Sequence, residues 1–187
     1  EATGRVVIFQ RQQGRWSQVG IINGQAKGDR FGGAVAVSGD LVVIGAPGRE
    51  AGKGAAYAIR RNSGGWSDPV PLGSGAAGDR FGAAVVVVGN RIAVGAPGSV
   101  ALGQGSGAAP PKAGWVAVYR SDAVRISEAG RLSAPAADSS LGFGAALALA
   151  NGDLLVGAPL TRRATGALYH FAEAAGTGHK LVPADLG

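Results

Sequence analysis

Short runs of apolar residues, separated by glycine-rich breaks with one polar or acidic residue, alternate along almost the whole chain. Runs of about 4 to 8 residues bounded by such breaks are typical of β-strands joined by tight turns. The runs recur as a unit of four, which we name strands A to D. The predicted bounds are 33–38, 83–88 and 145–150 for strand A, 41–45, 91–95 and 153–157 for strand B, 55–60, 115–120 and 167–172 for strand C, and 66–72, 124–132 and, weakly, 179–183 for strand D.

The breaks between strands A and B predict tight hairpins. They read Ser38-Gly39-Asp40, Val88-Gly89-Asn90 and Asn151-Gly152-Asp153. Glycine, asparagine and aspartate tolerate the positive φ that a two-residue hairpin turn requires. Strands A and B of each unit are therefore expected to be antiparallel neighbours.

A five-residue motif recurs at a constant spacing. A Phe-Gly pair precedes each strand A, and a Gly-Ala-Pro triplet ends each strand B, with the phenylalanine always 14 residues before the glycine of the triplet. The three copies are Phe31-Gly32 with Gly45-Ala46-Pro47, Phe81-Gly82 with Gly95-Ala96-Pro97, and Phe143-Gly144 with Gly157-Ala158-Pro159. A fixed internal period of this kind predicts a repeat protein.

The repeat divides the chain into one partial and three full units. Residues 1–27 hold strands C and D of a first unit, and 28–77, 78–138 and 139–187 hold four strands each. The unit at 78–138 carries an insertion at 98–113, where the loop between strands B and C is longer than in the other units. Repeat architectures accommodate insertions in their loops.

Strand C is apolar on both of its faces. Ala56 and Ala58 point to one side of the strand and Tyr57 and Ile59 to the other. A small sheet that is apolar on both sides must be covered on both sides. Stacking four-stranded sheets face to face satisfies this, and sheet twist turns the stack into a ring. The expected fold is all-β, a β-propeller of four-stranded antiparallel blades with about three and a half blades in the 187 residues.

Charge and cysteine content narrow the classes of partner only a little. Lys and Arg number 18 and Asp and Glu 12, a net charge of +6, but no run of like charges exceeds two residues. A specific nucleic-acid partner is therefore not expected. The chain has no cysteine, so it has neither disulfides nor a thiolate metal site, and no apolar run is long enough to cross a membrane.

The Phe-Gly and Gly-Ala-Pro motifs resemble the FG-GAP repeats of the integrin α-subunit propeller. The similarity is greatest to bacterial FG-GAP repeat proteins, because Gly-Asp-Arg-Phe-Gly precedes two of the strands A and a tryptophan, Trp16 or Trp66, lies on two outer strands. The resemblance implies a propeller that is commonly seven-bladed, in an extracellular, cell-surface or periplasmic protein. Further blades, from the same or another chain, are expected to cover the terminal sheets.

The turns between strands A and B differ from those of the calcium-binding members of this family. Calcium-binding members of the family hold an acidic loop between strands A and B, whereas these turns contain at most one acidic group, Asp40 or Asp153. Calcium requires about six to eight oxygen ligands. No calcium, no other cofactor and no metal site is therefore predicted.

Antiparallel connections place the D–A and B–C loops at one end of the sheets, and this end is the predicted binding face for a protein or glycan partner. Its candidate residues are Arg30, Arg49, Lys53, Arg80, Lys112, Arg162 and Arg163. A basic surface without a partner is the alternative interpretation. Phe31, Phe81 and Phe143 are expected to fill the spaces between blades, and Asp29 and Asp79 to hold the D–A turns.

Catalysis is not expected, because no Ser-His-Asp set or carboxylate pair recurs. The sequence therefore favours a non-catalytic module for recognition or adhesion. One alternative is a structural subunit of a cell-surface or extracellular assembly, whose blade faces form the interface. A less favoured alternative is a propeller hydrolase or lyase whose site lies in blades outside these residues.

Overall fold

The computed structural model describes residues 3–98, 112–135, 141–160, 166–172 and 179–181, which form four antiparallel sheets in chain order. Sheet I contains β1 (Arg5–Gln12) and β2 (Arg15–Asn23). Sheet II contains β3 (Ala34–Ser38), β4 (Leu41–Ala46), β5 (Ala55–Asn62), β6 (Gly65–Trp66) and β7 (Val70–Ser74). Sheet III contains β8 (Ala84–Val88), β9 (Arg91–Ala96), β10 (Trp115–Ser121) and β11 (Ile126–Leu132). Sheet IV contains β12 (Ala146–Ala150), β13 (Asp153–Ala158), β14 (Ala167–Phe171) and β15 (His179–Leu181).

The strand order confirms the predicted all-β fold class. Sheets II to IV each run A, B, C, D with every strand hydrogen-bonded to the next, and sheet I consists of strands C and D alone. The sheets have the form of propeller blades, and the described residues do not close a ring. Strands A, B and C begin and end within about one or two residues of their predicted bounds, because glycine turns fix them.

Strand D of sheet II differs from its prediction. The sequence predicts one strand over 66–72, but β6 and β7 pair with β5 separately. Between them Ser67 N donates to Arg60 O at 2.8 Å, and Arg60 N donates to Ser67 Oγ at 3.0 Å. Pro69 has no N–H to continue the ladder, so the chain bulges before β7 begins.

Strand D of sheet III begins later than predicted, at Ile126 instead of 124. Asp122 Oδ1 accepts hydrogen bonds from the N–H groups of Val124 (2.8 Å) and Arg125 (2.7 Å). These bonds form an Asx turn that delays the strand. In sheet IV, the part of the predicted strand after Leu181 lies outside the described residues.

One short helical turn, α1 (Arg49–Gly52), occupies the B–C loop of sheet II. Within it Glu50 and Ala51 have φ values of 48° and 54°. The turn is therefore left-handed at two residues that are not glycine, a conformation that costs free energy for residues with a Cβ.

Three apolar clusters lie between successive sheets and form the core. The cluster between sheets I and II contains Phe31, that between II and III contains Phe81, and that between III and IV contains Phe143. Tyr57 and Ile59 of β5 belong to the first cluster, and the other face of the same strand belongs to the second. Both faces of strand C in sheet II are thus buried, as its apolar sequence predicts.

No helix in the described part of the chain has the length and hydropathy needed to cross a bilayer.

Candidate partner-binding face

The D–A and B–C loops meet at one end of the sheets. Within a sheet, Gly48 N donates to Asp29 O and Gly98 N donates to Asp79 O, both at 3.0 Å. Between sheets II and III, Phe81 N donates to Lys53 O at 3.0 Å. We call this end the loop face; its described residues are 24–33, 47–54, 75–83, 97–98, 112–114, 141–145, 159–160 and 166.

Glycine-to-glycine contacts set the spacing of the loop face. The Gly-Ala-Pro glycine of one sheet packs against the Phe-Gly glycine of the next, Gly45 against Gly82 and Gly95 against Gly144. A Cβ on Gly45 would overlap the carbonyl oxygen of Gly82, and a Cβ on Gly95 that of Gly144. Only glycine allows two backbones to approach this closely.

The motif phenylalanines are held by their backbones as well as by their rings. Gly4 and Phe31 form an isolated parallel bridge, and Gly54 and Phe81 form an equivalent one. In each case the glycine that opens strand C contacts the Phe-Gly pair of the following sheet. Each D–A loop is therefore fixed to the sheet before it as well as to its own.

Asp79 is the most highly connected acidic residue described on the loop face. Its Oδ2 accepts hydrogen bonds from Ala76 N (2.8 Å) and Trp115 Nε1 (3.2 Å), and its Oδ1 forms an ion pair with Lys112 Nζ at 2.5 Å. Burial raises the pKa of Asp79, but the hydrogen bonds from Lys112, Ala76 and Trp115 outweigh it, and the pKa lies below its ordinary value. Lys112 therefore ties the end of the insertion to sheet III.

Trp115 belongs to the same cluster, and sequence reasoning missed it. Its ring stacks on Phe81 with centroids 5.2 Å apart, and the Arg131 guanidinium lies 4.4 Å from its centroid. The sequence marks Trp115 in one way only: it is the first residue of strand C, where sheets II and IV have alanine. Aromatic stacking and a cation–π contact make this cluster a structural support for the loop.

Arg49 and Lys53 are also engaged within the molecule. Glu50 forms ion pairs with Lys53 Nζ (3.1 Å) and Arg49 Nε (3.5 Å). The hydrogen bond from Lys53 and the charge of Lys53 lower the pKa of Glu50. Arg49 also lies 5.7 Å from the centroid of Tyr57. These two cations are less open to a partner than the sequence alone implies.

Arg30 and Arg80 differ from the other candidates. Both side chains are exposed, and neither forms an ion pair or side-chain hydrogen bond with any residue in the described ranges. Both have left-handed backbones, with φ of 54° and 56°. The equivalent residue of the third repeat is Gly142, with φ of 80°, so the loop demands a left-handed residue and arginine occupies it twice.

Comparison with known families agrees with this geometry. The sequence model of the FG-GAP repeat matches residues 16–59, a range that includes the first Phe-Gly and Gly-Ala-Pro motifs. Residues 16–59 contain an FG-GAP repeat. The second and third Phe-Gly and Gly-Ala-Pro motifs repeat the spacing of the first. Gly95 of the second motif packs against the next sheet as Gly45 does, whereas the atom nearest to a Cβ on Gly157 of the third belongs to its own sheet. No curated protein matches the chain.

The FG-GAP match indicates a propeller-type interaction domain of a generally non-enzymatic family. Of the predicted loop-face residues, the structure brings Lys112 to Asp79 and leaves Arg30 and Arg80 exposed. Arg162, Arg163 and residues 99–111 of the insertion lie outside the described part of the chain.

The opposite end of the FG-GAP sheets uses its arginines for contacts between sheets. Arg60 donates to Ser121 Oγ and to the Asp122 carbonyl, and Arg91 donates to the carbonyl of Gly152. Arg61 donates to Gln10 Oε1 at 3.1 Å. These arginines therefore hold neighbouring sheets together, whereas the side chains of Arg30 and Arg80 make no such contact within the described ranges.

Polar chemistry outside the loop face is sparse in the described ranges. His170 Nε2 lies 2.7 Å from Asp153 Oδ2 on sheet IV. No group of three His, Asp or Glu side chains occurs among the described residues of the FG-GAP sheets. The absence of calcium from the A–B turns stays a prediction, and its test is given below.

Proposed function

We propose that the chain is the recognition part of a non-catalytic FG-GAP propeller that binds an acidic partner, protein or glycan, through its loop face. The proposal rests on Arg30 and Arg80. They occupy equivalent positions in adjacent sheets, they are exposed, and no described residue neutralises them.

The backbone at these positions supports the proposal. A left-handed conformation costs an arginine roughly 1 kcal/mol or more relative to glycine, and the third repeat shows that glycine fits the same turn. A residue with an unfavourable conformation and an unsatisfied charge contributes little to folding. A role in binding explains its presence, because guanidinium groups recognise carboxylates and sulfates through paired hydrogen bonds.

The residues on both sides of Arg80 are anchored in the fold. Phe81 follows Arg80 and is fully buried, and Asp79 before it accepts two hydrogen bonds. Because its backbone lies between two anchored residues, Arg80 loses less conformational freedom on binding than an arginine on a mobile loop. An extracytoplasmic location is part of the proposal and rests on the family alone.

The test uses a fluorescent polyglutamate peptide as the probe, with polylysine as the charge control. The double variant Arg30→Gln/Arg80→Gln is compared with Arg11→Gln/Arg15→Gln, which removes the same charge from exposed positions of sheet I at the end opposite the loop face. We expect the first variant to lower the affinity at least tenfold and the second to change it less than about twofold. Equal losses in the two variants would reduce the effect to net charge and refute the proposal.

A second candidate function is a structural subunit whose sheet faces form the interface. Sheet I favours it, because Phe9 and Ile21 are 55 % and 47 % exposed on its outer face. Large exposed apolar side chains that lie together on one face are typical of interfaces between proteins. The two functions are separable, since the variants at Arg30 and Arg80 do not touch this face.

A further inference from the structure

A cavity of about 340 Å³ lies between sheets III and IV, toward the end opposite the loop face. Its apolar walls are Val118 of β10 and, from sheet IV, Leu149, Leu154 and Phe171. Leu154 and Phe171 belong to the apolar cluster that joins the two sheets. A cavity of this size, with mainly apolar walls and a few polar groups, is typical of a site for a small molecule.

Gly130 of β11 leaves one wall of this cavity open. It lies opposite Val118 in the ladder between β10 and β11. Apart from its chain neighbours, no described residue comes within 4 Å of a Cβ placed on Gly130. Its φ is not in the left-handed region, so the backbone accepts any L-residue at this position. The opening therefore results from the missing side chain and not from a turn that requires glycine.

Sheet I shows how the fold fills the equivalent space. Gly20 is the counterpart of Gly130, since each lies 16 residues after the glycine that opens strand C, Gly4 or Gly114. Trp66 of sheet II covers Gly20, because its Cδ1 lies 3.1 Å from a Cβ placed there. An indole ring from the next sheet thus packs on the strand D glycine between sheets I and II.

The sequence of sheet IV offers no such ring. Trp66 lies 12 residues after Gly54, the glycine that opens strand C of its sheet. The residue 12 positions after Gly166, the matching glycine of sheet IV, is Gly178. Glycine has no side chain to pack on Gly130. A planar aromatic ring supplied by a ligand would therefore match the space that an indole fills between sheets I and II.

Arginines give the cavity a positive rim. Arg91 and Arg120 are cross-strand partners on β9 and β10, and both line the cavity. Arg91 also donates to the carbonyl of Gly152, so it reaches across to sheet IV. Arg131 lines the cavity too, but its guanidinium lies over Trp115. The described lining contains no aspartate or glutamate. Two neighbouring guanidinium groups favour a carboxylate, which they can bind through paired hydrogen bonds.

We propose that the cavity between sheets III and IV binds a small aromatic carboxylate. The ring lies on Gly130 between the apolar walls, as Trp66 lies on Gly20, and the carboxylate accepts hydrogen bonds from Arg91 and Arg120. The ring supplies apolar burial, and the two arginines select an acid over its neutral analogue. This inference does not depend on the function proposed for the loop face, which lies at the other end of the sheets.

The experiment titrates the 187-residue chain with indoleacetate in a calorimeter, with neutral indoleacetamide as the control ligand. We expect saturable binding of one indoleacetate per chain. Indoleacetamide keeps the ring but has no negative charge, so it should bind about tenfold more weakly. Equal affinities for the two ligands would refute the role of the arginines and overturn the proposal.

Gly130→Leu tests the place of the ring. The leucine side chain enters the cavity, so the affinity for indoleacetate should fall at least tenfold. Gly64→Leu is the matched control, because Gly64 is an exposed glycine without a left-handed φ and lies outside the cavity lining. The control should change the affinity less than about twofold. Urea denaturation of both variants verifies that they are folded.

Arg120→Gln tests the place of the carboxylate. It should weaken the binding of indoleacetate about tenfold and leave that of indoleacetamide within about twofold, since only the acid pairs with the guanidinium. Arg125→Gln removes the same charge from an exposed residue outside the cavity lining. Absence of saturable indoleacetate binding, binding that Gly130→Leu leaves unchanged, or equal losses in the two arginine variants would each overturn the proposal.

Discussion

Gly45 in sheet II lies against Gly82 in sheet III so closely that no side chain fits between the two backbones. Gly95 and Gly144 repeat this relationship one sheet further along. Gly157 holds the same motif position in sheet IV, but the nearest atom to a Cβ placed there is Ala146 Cβ, at 3.2 Å. The motif glycine therefore acts between sheets, and its substitution has unequal effects.

Gly45→Ala should lower the free energy of unfolding by about 1–3 kcal/mol, because the new methyl group forces sheets II and III apart. Gly157→Ala should lower it by less than about 1 kcal/mol, since a side-chain methyl can shift where a backbone carbonyl cannot. Urea denaturation of both variants measures the difference. Equal losses would show that the contact between sheets does not explain the motif.

Replacement of the left-handed arginines should not destabilise the fold. Arg80→Gly relieves the strain of its positive φ but adds freedom to the unfolded chain, so we expect a change between zero and a gain of about 1 kcal/mol. Gly142→Ala imposes the opposite change and should cost about 1 kcal/mol. A large loss in Arg80→Gly, read from thermal melting, would assign the side chain a structural role.

The lowered pKa of Asp79 predicts an acid-dependent contribution to stability. Because the folded pKa is depressed, the contribution is present above the unfolded carboxyl pKa, near 3.9, and is lost as pH falls through the folded value. Asp79→Asn should lose about 1–3 kcal/mol at neutral pH, and its difference from the parent should shrink in acid. Lys112→Gln should show a weaker effect with the same pH dependence, since Lys112 is half exposed. A pH-independent difference would contradict the assignment.

Tyr119 should ionise well above the ordinary pKa of a tyrosine. Burial raises its pKa to about 12, with a smaller contribution from Glu128. A raised folded pKa gives stability that is full below the unfolded value near 10 and declines as pH rises toward 12. Ultraviolet titration should show the delayed phase, and Tyr119→Phe should remove both the phase and its share of the alkaline destabilisation. A phase that survives in Tyr119→Phe would belong to another tyrosine.

Calcium should leave the melting temperature unchanged. The A–B turns offer one acidic side chain at most, Asp40 or Asp153, and calcium needs about six to eight oxygens. Melting in millimolar calcium and in excess chelator checks this, with magnesium as the control ion. A calcium-specific rise would show that ligands come together from residues that the sequence pattern does not connect.

The sequence predicts the strands well where local chemistry decides them. Glycine and aspartate at 39–40 and 152–153 fix the A–B hairpins, and strict apolar content marks strands B and C. Strand D is predicted less well, because Pro69 interrupts one copy and the Asp122 turn delays another. In one case a backbone N–H is missing, and in the other a side chain accepts backbone hydrogen bonds. The hydrophobic pattern of the sequence shows neither effect.

The loop face could be located from sequence, but its charge balance could not. The antiparallel order places the loops together, yet the pairing of Lys112 with Asp79 depends on residues 33 positions apart. The left-handed turn at Glu50 and Ala51 has no glycine signal, and it brings Glu50 between Arg49 and Lys53. Which cations are available to a partner therefore becomes visible only once the loops are folded.

The parallel bridge between Gly54 and Phe81 has a consequence for how such a chain lengthens. Adjacent sheets fit together only when the Phe-Gly pair before strand A of one sheet contacts the glycines of the sheet before it. Duplication therefore succeeds in whole steps of about 50 residues counted from one Phe-Gly to the next, as between Phe31 and Phe81. A step with any other starting point would separate a Phe-Gly pair from the glycine that it contacts. Added length between Pro97 and Gly114 lies within a loop and leaves both in place.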